Sequence, residues 1–316
     1  MPDSAITQRF ETLVQTGKGD PTALARAAKQ GDVAAALDLA ALLTRAGWVE
    51  PDTIRDVYDA AAAGWFGYDH PTVDLTRGTG AASPALWPKF WEFIDDTTKM
   101  DAGAFTTRVA ALGRFVEPGF DVRAGHASLG FAGVPDAVAQ GWPPKFTMDE
   151  LAALPEGSLG NEFHRQIVVN NFDLEVLDRD TLGLAALRPP LDYLNARALQ
   201  CHDLWHLVGG YHLTALHETA ISGFQLAQFG HNYSAQYLAF IIAKTALTRP
   251  EGIPLVLEVT LTGWRHGRDT PSLLGVDWKD VWDKPADKVR ERLGVSVYSS
   301  PIPPDLIEQL AQAGMY

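Results

Sequence analysis

Helical periodicity dominates the pattern of apolar and polar positions along this chain of 316 residues. In residues 191–208 apolar side chains recur at steps of three and four, which predicts a helix with one buried face. Residues 20–48 are rich in alanine and leucine, the strongest helix formers. Further helices are predicted for residues 211–229 and 234–247. Residues 254–269 could form a helix or a strand, and a helix is favoured because the neighbouring segments are helical. The chain contains no alternating series of the kind that predicts a β-hairpin, so the pattern predicts an all-α protein.

Capping residues indicate where several of these helices begin. Asp20 followed by Pro21 is typical of an N-cap and a first helical residue. The sequence TMDE, which starts at Thr147, has the spacing of a capping box. A further helix is predicted to begin near Ser158, and another to cover residues 277–294.

Residues 117–146 interrupt the helical pattern. They are dense in glycine and proline, which predicts loops and a boundary between modules. We therefore predict two parts: an N-terminal helical module of unknown role, residues 1–125, and a multi-helix domain, residues 126–316.

Composition and charge narrow the classes of function. Hydrophobic residues make up 46% of the chain and charged residues 21%, which is typical of a soluble globular protein. The formal net charge is −13 and no lysine- or arginine-rich run is present, so we predict no nucleic-acid partner. A single cysteine, Cys201, cannot form an intrachain disulfide and fits a reducing compartment. Since the N-terminus lacks a secretory signal pattern, we predict a cytoplasmic protein, with peripheral contact to a membrane left open.

The segment 199–219 concentrates groups that bind protons and metals, including four of the nine histidines. His202 and His206 are four residues apart, so a helix places them on one face, about 6 Å apart along its axis. Two imidazoles in this arrangement can hold one metal ion. Asp203 projects about 100° around the helix and can bind from the flank or orient a ligand histidine.

Glu218 completes the candidate set only if the chain turns. On one continuous helix it would lie about 18 Å from His206. The pair Gly209–Gly210 predicts a helix end and a reversal, after which Glu218 can return to the histidines. Two nitrogens with up to two carboxylates suit zinc, iron or manganese better than calcium. The segment therefore predicts a metal site at a helix-turn-helix.

Simpler interpretations of the same residues stay open. His202 and His206 can be two partly exposed histidines that hold no metal. His212 and His217 flank the turn and can cap backbone carbonyls. His164 is expected to be structural, like His231, and Cys201 is expected to be a small buried hydrophobe.

The spacing H-D-x-x-H, eleven further residues and E resembles the metal-binding motif of the coenzyme Q (ubiquinone) biosynthesis protein 4 family. Residues 154–166, LPEGSLGNEFHRQ, are similar to the family's LP-x-G-(S/T)-L-G-x-E-(Y/F) stretch. Residues 193–206 resemble its Y-x-x-x-R-x-R-E-x-H-D-x-x-H stretch, with Arg197 on the first arginine. Leu199 and Gln200 stand where the family usually has arginine and glutamate, and His217 replaces a common glycine. The resemblance covers about residues 146–295.

This resemblance implies an all-helical protein with one divalent metal ion, zinc being favoured over iron, manganese, cobalt or magnesium. It assigns both metal binding and catalysis to His202, Asp203, His206 and Glu218, and no other cofactor-binding residue. The implied reaction is oxidative decarboxylation and hydroxylation at carbon one of a prenylated benzoate-type quinone precursor. The implied partners are a membrane surface and either a second copy of the chain or a quinone-biosynthesis complex. A groove for the prenyl tail could be lined by apolar residues around the motif: Leu204, Trp205, Leu207, Leu213, Leu216, Phe224, Leu226 and Phe229.

Two other functions compete with the enzyme. One is a non-catalytic scaffold that binds metal and prenyl lipid within a quinone-biosynthesis complex. The other is a helical metal-dependent phosphohydrolase, which requires distant additional ligands, for which His126 and His164 are the upstream candidates. Because the resemblance does not extend to it, the N-terminal module, residues 1 to about 120, is expected to be dispensable for metal binding.

Overall fold

Sixteen α-helices and no β-strand occur in the part of the chain that the computed structural model describes, residues 3–98 and 102–314. This confirms the predicted all-α class. In chain order the helices are α1 (Ser4–Thr16), α2 (Pro21–Lys29), α3 (Val33–Trp48), α4 (Ile54–Phe66), α5 (Leu86–Asp95), α6 (Ala102–Leu112), α7 (Phe120–Leu129), α8 (Val134–Val138), α9 (Met148–Ala152), α10 (Leu159–Asn170), α11 (Leu191–Gly209), α12 (Ala215–Phe229), α13 (Asn232–Thr248), α14 (Ile253–Asp269), α15 (Ala286–Leu293) and α16 (Leu306–Gln312). Among these residues no helix is both long enough and apolar enough to cross a bilayer.

The predicted capping residues begin the helices they were expected to begin. The Asp20 carboxylate accepts the backbone N–H of Thr22 at 3.0 Å, and Pro21 is the first residue of α2. Thr147 accepts an N–H in the first turn of α9, and Ser158 does the same for α10. These bonds satisfy amide groups that have no partner within the helix.

Two regions were predicted wrongly. Residues 117–146 contain α7 and α8, because their glycines lie largely at helix ends. Gly119 and Gly133 have φ of 84° and 75° and immediately precede α7 and α8. Within residues 277–294, only α15 and a short 3₁₀ turn are helical. Here Pro285 ends the preceding turn and serves as the N-cap of α15, as its missing N–H allows.

Helix α3 is the centre of the N-terminal part. Every residue from Asp38 to Glu50 is buried, because α1, α2, α4 and α13 all pack against this helix. Helices α3 and α13 approach closely at Gly47, where a Cβ atom would lie 3.2 Å from the backbone nitrogen of Gln236. The Gln236 amide also donates a hydrogen bond to the Gly47 carbonyl at 3.0 Å. A small residue at this position therefore lets α3 and α13 meet backbone to backbone.

Aromatic residues join the two halves of the chain. Phe240 of α13 stacks on Phe93 of α5 with ring centroids 4.3 Å apart. Trp264 of α14 lies 5.0 Å from Tyr58 of α4, and its indole N–H donates to Asp59 at 2.9 Å. Buried side chains before and after residue 125 belong to one hydrophobic core. The division at this residue stays a prediction, and the shared core favours a single folding unit over a dispensable module.

Close packing of α12 on α14 fixes the position of the helix that carries Glu218. A Cβ atom at Gly263 would lie 2.0 Å from the carbonyl oxygen of Ala220, and one at Gly223 would lie 2.6 Å from that of Thr260. Glycine at both positions lets the two helix backbones touch. Helix α12 is thereby held between α14 and the end of α11.

Candidate metal centre

The chain reverses at Gly210, as the sequence predicts. Helix α11 ends at Gly209, and Gly210 follows in the left-handed conformation with φ 76°. Its N–H bonds to the carbonyl of His206, as does the N–H of Tyr211 at 2.9 Å. Helix α12 starts five residues after Gly210, at Ala215. The turn therefore brings the first turn of α12 back towards the last turns of α11.

His202, His206 and Glu218 converge on one point. The two Nε2 atoms are 3.2 Å apart. The Glu218 carboxylate lies 3.1 Å from Nε2 of His202 and 3.3 Å from Nε2 of His206. Donors that bind one ion at about 2.0–2.2 Å lie roughly 3 to 3.5 Å from one another. The three side chains thus have the spacing of metal ligands and could hold one ion.

Asp203 lies beside this group. One of its carboxylate oxygens and one nitrogen from each histidine lie within 4.8 Å of one another, a set that could hold a metal ion. The residue is only 9% exposed, and its carboxylate accepts no hydrogen bond from the described residues. Its oxygens are not among the buried polar atoms that lack a partner, so the carboxylate can be hydrated in the absence of an ion.

The second ring nitrogen of each imidazole, Nδ1, also has a partner. Nδ1 of His206 lies 3.3 Å from the carbonyl oxygen of Tyr211, and Nδ1 of His202 lies 2.6 Å from the amide nitrogen of Gln225. Metal-binding histidines usually donate their second ring N–H to an acceptor, and the Tyr211 carbonyl is such an acceptor for His206. Sequence reasoning missed Gln225, although its position seven residues after Glu218 places both on one face of α12.

The pKa values of these side chains depend on two opposing effects: burial disfavours the charged forms, and neighbouring opposite charges favour them. Burial disfavours ionised Glu218, but hydrogen bonds and charge from the two histidines outweigh it and hold the pKa of Glu218 far below its usual range. Burial likewise disfavours protonated His202, yet the hydrogen bond and charge of Glu218 raise the pKa of His202. Burial raises the pKa of Asp203. A bound cation would favour the ionised form of both carboxylates.

A buried hydrogen-bonded chain anchors the turn. The Tyr211 hydroxyl lies 2.6 Å from Nδ1 of His266, and Nε2 of His266 lies 2.8 Å from the carbonyl oxygen of Ser296. The Tyr211 ring stacks on Tyr298 with centroids 4.5 Å apart. Arg290 donates to the last carbonyls of α11. These contacts hold the Tyr211 carbonyl against His206.

The other histidines of the region have structural partners. His217 does not cap a carbonyl: its Nδ1 accepts the backbone N–H of His212 at 2.8 Å. Burial, followed by the neighbouring histidines, lowers the pKa of His217 to about 4. His231 bonds to the Ser234 hydroxyl at the start of α13. Cys201 is fully buried, as predicted.

Most of the apolar residues around the motif do not line a groove. Six of the eight candidates are at most 4% exposed and belong to the helix-helix core: Leu204, Trp205, Leu216, Phe224, Leu226 and Phe229. Leu207 is partly buried, and Leu213 is 37% exposed. The apolar faces that the sequence offered for a prenyl tail are instead used to pack α11 and α12 into the protein.

Exposed apolar side chains cluster in residues 168–187, at the end of α10 and in the segment after it. Seven large apolar residues are at least 38% exposed there: Val168, Val169, Phe172, Val176, Leu177, Leu182 and Leu187. Helix α10 is joined to α11, because the Gln166 amide donates to the carbonyl of Asp203 at 3.0 Å. We refer to residues 168–187 as the apolar segment.

Comparison with known proteins identifies relatives of the second half of the chain. The sequence model of the family described as Coenzyme Q (ubiquinone) biosynthesis protein Coq4 matches residues 143–299. The chain is 28% identical over 166 residues to the Mus musculus "Ubiquinone biosynthesis protein COQ4 homolog, mitochondrial", which is 52% of this chain and 58% of the mouse protein. It is 27% identical over 165 residues to the COQ4 protein of Eremothecium gossypii, covering 52% and 47%. The chain thus spans about half the length of these relatives.

One solved structure is similar over most of its length. It is a crystal structure of a Nostoc punctiforme PCC 73102 protein described as a ubiquinone biosynthesis protein. The similarity covers 67% of this chain and 97% of that one, with 25% identity and a TM-score of 0.49.

Proposed function

Through residues 143–299 the chain belongs to the coenzyme Q (ubiquinone) biosynthesis protein 4 family, and from this premise we propose that it acts in ubiquinone biosynthesis. More specifically, we propose a metal-dependent enzyme that removes the carboxyl at carbon one of a prenylated benzoate-type ring and installs a hydroxyl there. The observation that carries the proposal is the convergence of His202, His206 and Glu218 within 3.3 Å.

The proposed metal ligands are His202, His206 and Glu218, with Asp203 as a further ligand or as a charge beside the ion. The side chain of His206 is 1% exposed and that of Glu218 is 37% exposed. The site is therefore closed on the histidine side and open at the carboxylate, where a ring could approach. If only three protein groups bind the ion, a position is left for water or substrate, which is typical of catalytic rather than structural metal sites. Zinc suits this donor set best, and iron, manganese, cobalt or magnesium are alternatives.

A divalent ion in this site would polarise a ring carboxylate or phenolate and orient an oxygen species beside it. The overall change is a two-electron oxidation: the carboxylic acid, water and dioxygen give the ring hydroxyl, carbon dioxide and hydrogen peroxide. Electrons pass from the electron-rich ring to dioxygen, since zinc has no redox chemistry. His202, His206 and the carboxylates would hold the ion where the ring approaches. The contacts with Tyr211 and Gln225 keep the imidazoles in place.

A strain that cannot process carbon one of the ubiquinone ring tests the enzyme. The wild-type gene should restore ubiquinone, measured by chromatography, whereas His202→Ala and Glu218→Gln should restore less than a tenth of it, because each removes one proposed ligand. His212→Ala is a matched control, since His212 lies beside the turn but is exposed. If folded, metal-free variants restored ubiquinone as well as the wild type does, the scaffold function would replace the catalytic one.

The apolar segment is the proposed contact with a membrane. Large exposed apolar surfaces usually mark interaction sites, and seven exposed apolar residues lie close together in the sequence here. Helix α10, in which the segment begins, is bonded to the helix that carries His202 and Asp203. A prenylated substrate is expected to reside in a bilayer, so a membrane contact here would bring the metal centre to it. A neutral bilayer suits a chain of net charge −13 better than an anionic one.

Sedimentation with phosphatidylcholine vesicles tests this contact. Val169→Asp with Phe172→Asp should weaken binding by at least tenfold, because burying each apolar side chain contributes about 1.5–3 kcal/mol. The control variant Val33→Asp with Val122→Asp changes residues of similar exposure outside the segment and should bind as the wild type does. Equal binding by both variants would contradict the assignment.

A homodimer, a complex with other quinone-biosynthesis proteins and a cytoplasmic location stay predictions.

A further inference from the structure

Helix α12, which carries Glu218, is not capped by its own N-cap residue. Thr214 has the extended backbone of an N-cap, with φ −130° and ψ 156°, but its side chain makes no capping hydrogen bond. Its hydroxyl is buried and bonds to no group among the described residues. Threonine is a residue type that usually caps a helix through this oxygen. The first turn of α12 therefore has no local cap.

A glutamate of the C-terminal helix α16 supplies an acceptor instead. Oε1 of Glu308 accepts the backbone N–H of Ala215, the first residue of α12, at 3.0 Å, although the two residues are 93 positions apart. A carboxylate at this end of a helix is also favoured by the positive end of the helix dipole. The match to the family model ends at residue 299, so this acceptor comes from outside the matched residues.

The segment that leads to α16 also contacts the start of the same reversal. The Tyr298 N–H donates to the carbonyl of Gly209 at 2.7 Å. Val297 lies against Gly210, where a Cβ atom would be 2.5 Å from the Cγ1 of Val297. We refer to residues 297–312 as the C-terminal strap. The strap thus contacts both the end of α11 and the beginning of α12.

Glu218 depends on the order of this first turn. Its backbone N–H bonds to the carbonyl of Thr214 at 2.8 Å, which is the first intrahelical bond of α12. Helix ends open more readily than helix centres, because their first N–H groups have no partner within the helix. Resting on the proposed metal centre, we propose that Glu308 is a positioning residue, which keeps the first turn of α12 closed and so holds the Glu218 carboxylate beside the two histidines.

Zinc titration of the full chain against a competing chelator tests this role without reference to ubiquinone synthesis. Loss of a side-chain cap disfavours an ordered helix end by a factor of about 2 to 30. Glu308→Ala should therefore raise the dissociation constant for zinc by about this factor. Gln309→Ala is the matched control and should bind as the wild type does, because this neighbouring side chain is exposed and bonds to Asp305 of the strap itself.

Two further variants should restore zinc affinity. Glu308→Gln keeps an oxygen that can accept the Ala215 N–H, so it should recover most of the loss, and the remainder measures the effect of the charge. Thr214→Asn supplies a preferred N-cap residue on α12 itself. Combined with Glu308→Ala, it should return the dissociation constant to within about twofold of the wild type.

A double-mutant cycle with Glu218 separates positioning from general stabilisation. Glu218→Ala removes the carboxylate that Glu308 is proposed to hold, while His202 and His206 can still bind zinc more weakly. In this background Glu308→Ala should change the dissociation constant by less than about twofold, because effects that act through one ligand are not additive. Circular dichroism and thermal unfolding report whether each variant has folded.

The outcomes distinguish this inference from the proposed function. Unchanged zinc affinity in folded Glu308→Ala, or an equal loss with and without Glu218, would overturn the role of Glu308 while leaving the metal centre in place. Absence of zinc binding by the wild type would overturn both. A failed strain test with the expected zinc affinities would overturn the proposed reaction alone.

Discussion

Replacing both His202 and His206 with alanine is expected to reduce bound divalent metal from about one ion per chain to less than a tenth of that, at unchanged helical content. The two Nε2 atoms are proposed ligands 3.2 Å apart, and the carboxylates that remain come from different helices. Elemental analysis of protein purified without chelator measures the metal directly. Circular dichroism checks that the helices persist.

Stability gives a second readout of the same change. A ligand that binds only the folded state, at a hundred times its dissociation constant, stabilises that state by about 2.7 kcal/mol. A chelator should therefore lower the unfolding temperature of the wild type and leave that of the double variant unaffected. His126→Ala with His164→Ala is the matched control, since these histidines lie on α7 and α10, and the metal-capable group among the described residues contains neither. Metal content that stayed the same in the His202, His206 variant would refute the site, and metal loss in the control would favour the phosphohydrolase.

Removal of residues 1–125 is expected to leave residues 126–316 insoluble or only partly folded. The cut exposes apolar side chains of α13 and α14 that now pack on α3, α4 and α5, among them Phe240 and Trp264. Each large side chain that loses its burial costs about 1.5–3 kcal/mol. Several such losses together equal the whole stability of a typical domain, about 5–15 kcal/mol. Expression of the fragment followed by sedimentation and circular dichroism measures the result.

Hydrogen bonds also cross the same boundary, so the fragment loses polar partners as well as apolar ones. The Lys244 ammonium donates to the carbonyls of Phe93, Ile94 and Asp96, each at 2.9 Å. Co-expression of residues 1–125 as a separate chain should restore solubility, because it supplies both the apolar partners and these acceptors. A fragment 126–316 that is soluble alone, binds metal and unfolds cooperatively would show instead that the N-terminal part is a separate, dispensable module.

The apolar residues that were assigned to a groove illustrate a limit of periodicity. Apolar residues such as Leu204, Trp205 and Phe224 mark a helix face that is buried against something apolar. The pattern does not tell whether that partner is the tail of a substrate or a neighbouring helix. In the structure these three residues are buried by other parts of the protein, since each is at most 1% exposed. The exposed apolar segment, by contrast, has no helical stripe that would have drawn attention to it.

The sequence by itself determined the features that depend on neighbours a few residues apart. These are the all-α class, the placement of His202 and His206 on one helix face, and the reversal at Gly210. Helical spacing is set by backbone geometry, and a left-handed residue at a helix end favours glycine, so both can be read locally. The glycines of residues 117–146 were misread because the same residue ends helices and fills loops.

Only the tertiary structure decided which surfaces meet. The Gln236 amide bonds to Gly47, 189 positions away, and Trp264 bonds to Asp59, 205 positions away. No local pattern fixes such pairs, because the partner of a helix face is chosen by the packing of the whole chain. The same holds for Gln225, whose position beside His202 depends on the angle at which α12 returns past α11, and that angle is set by the glycine contacts of α12 with α14.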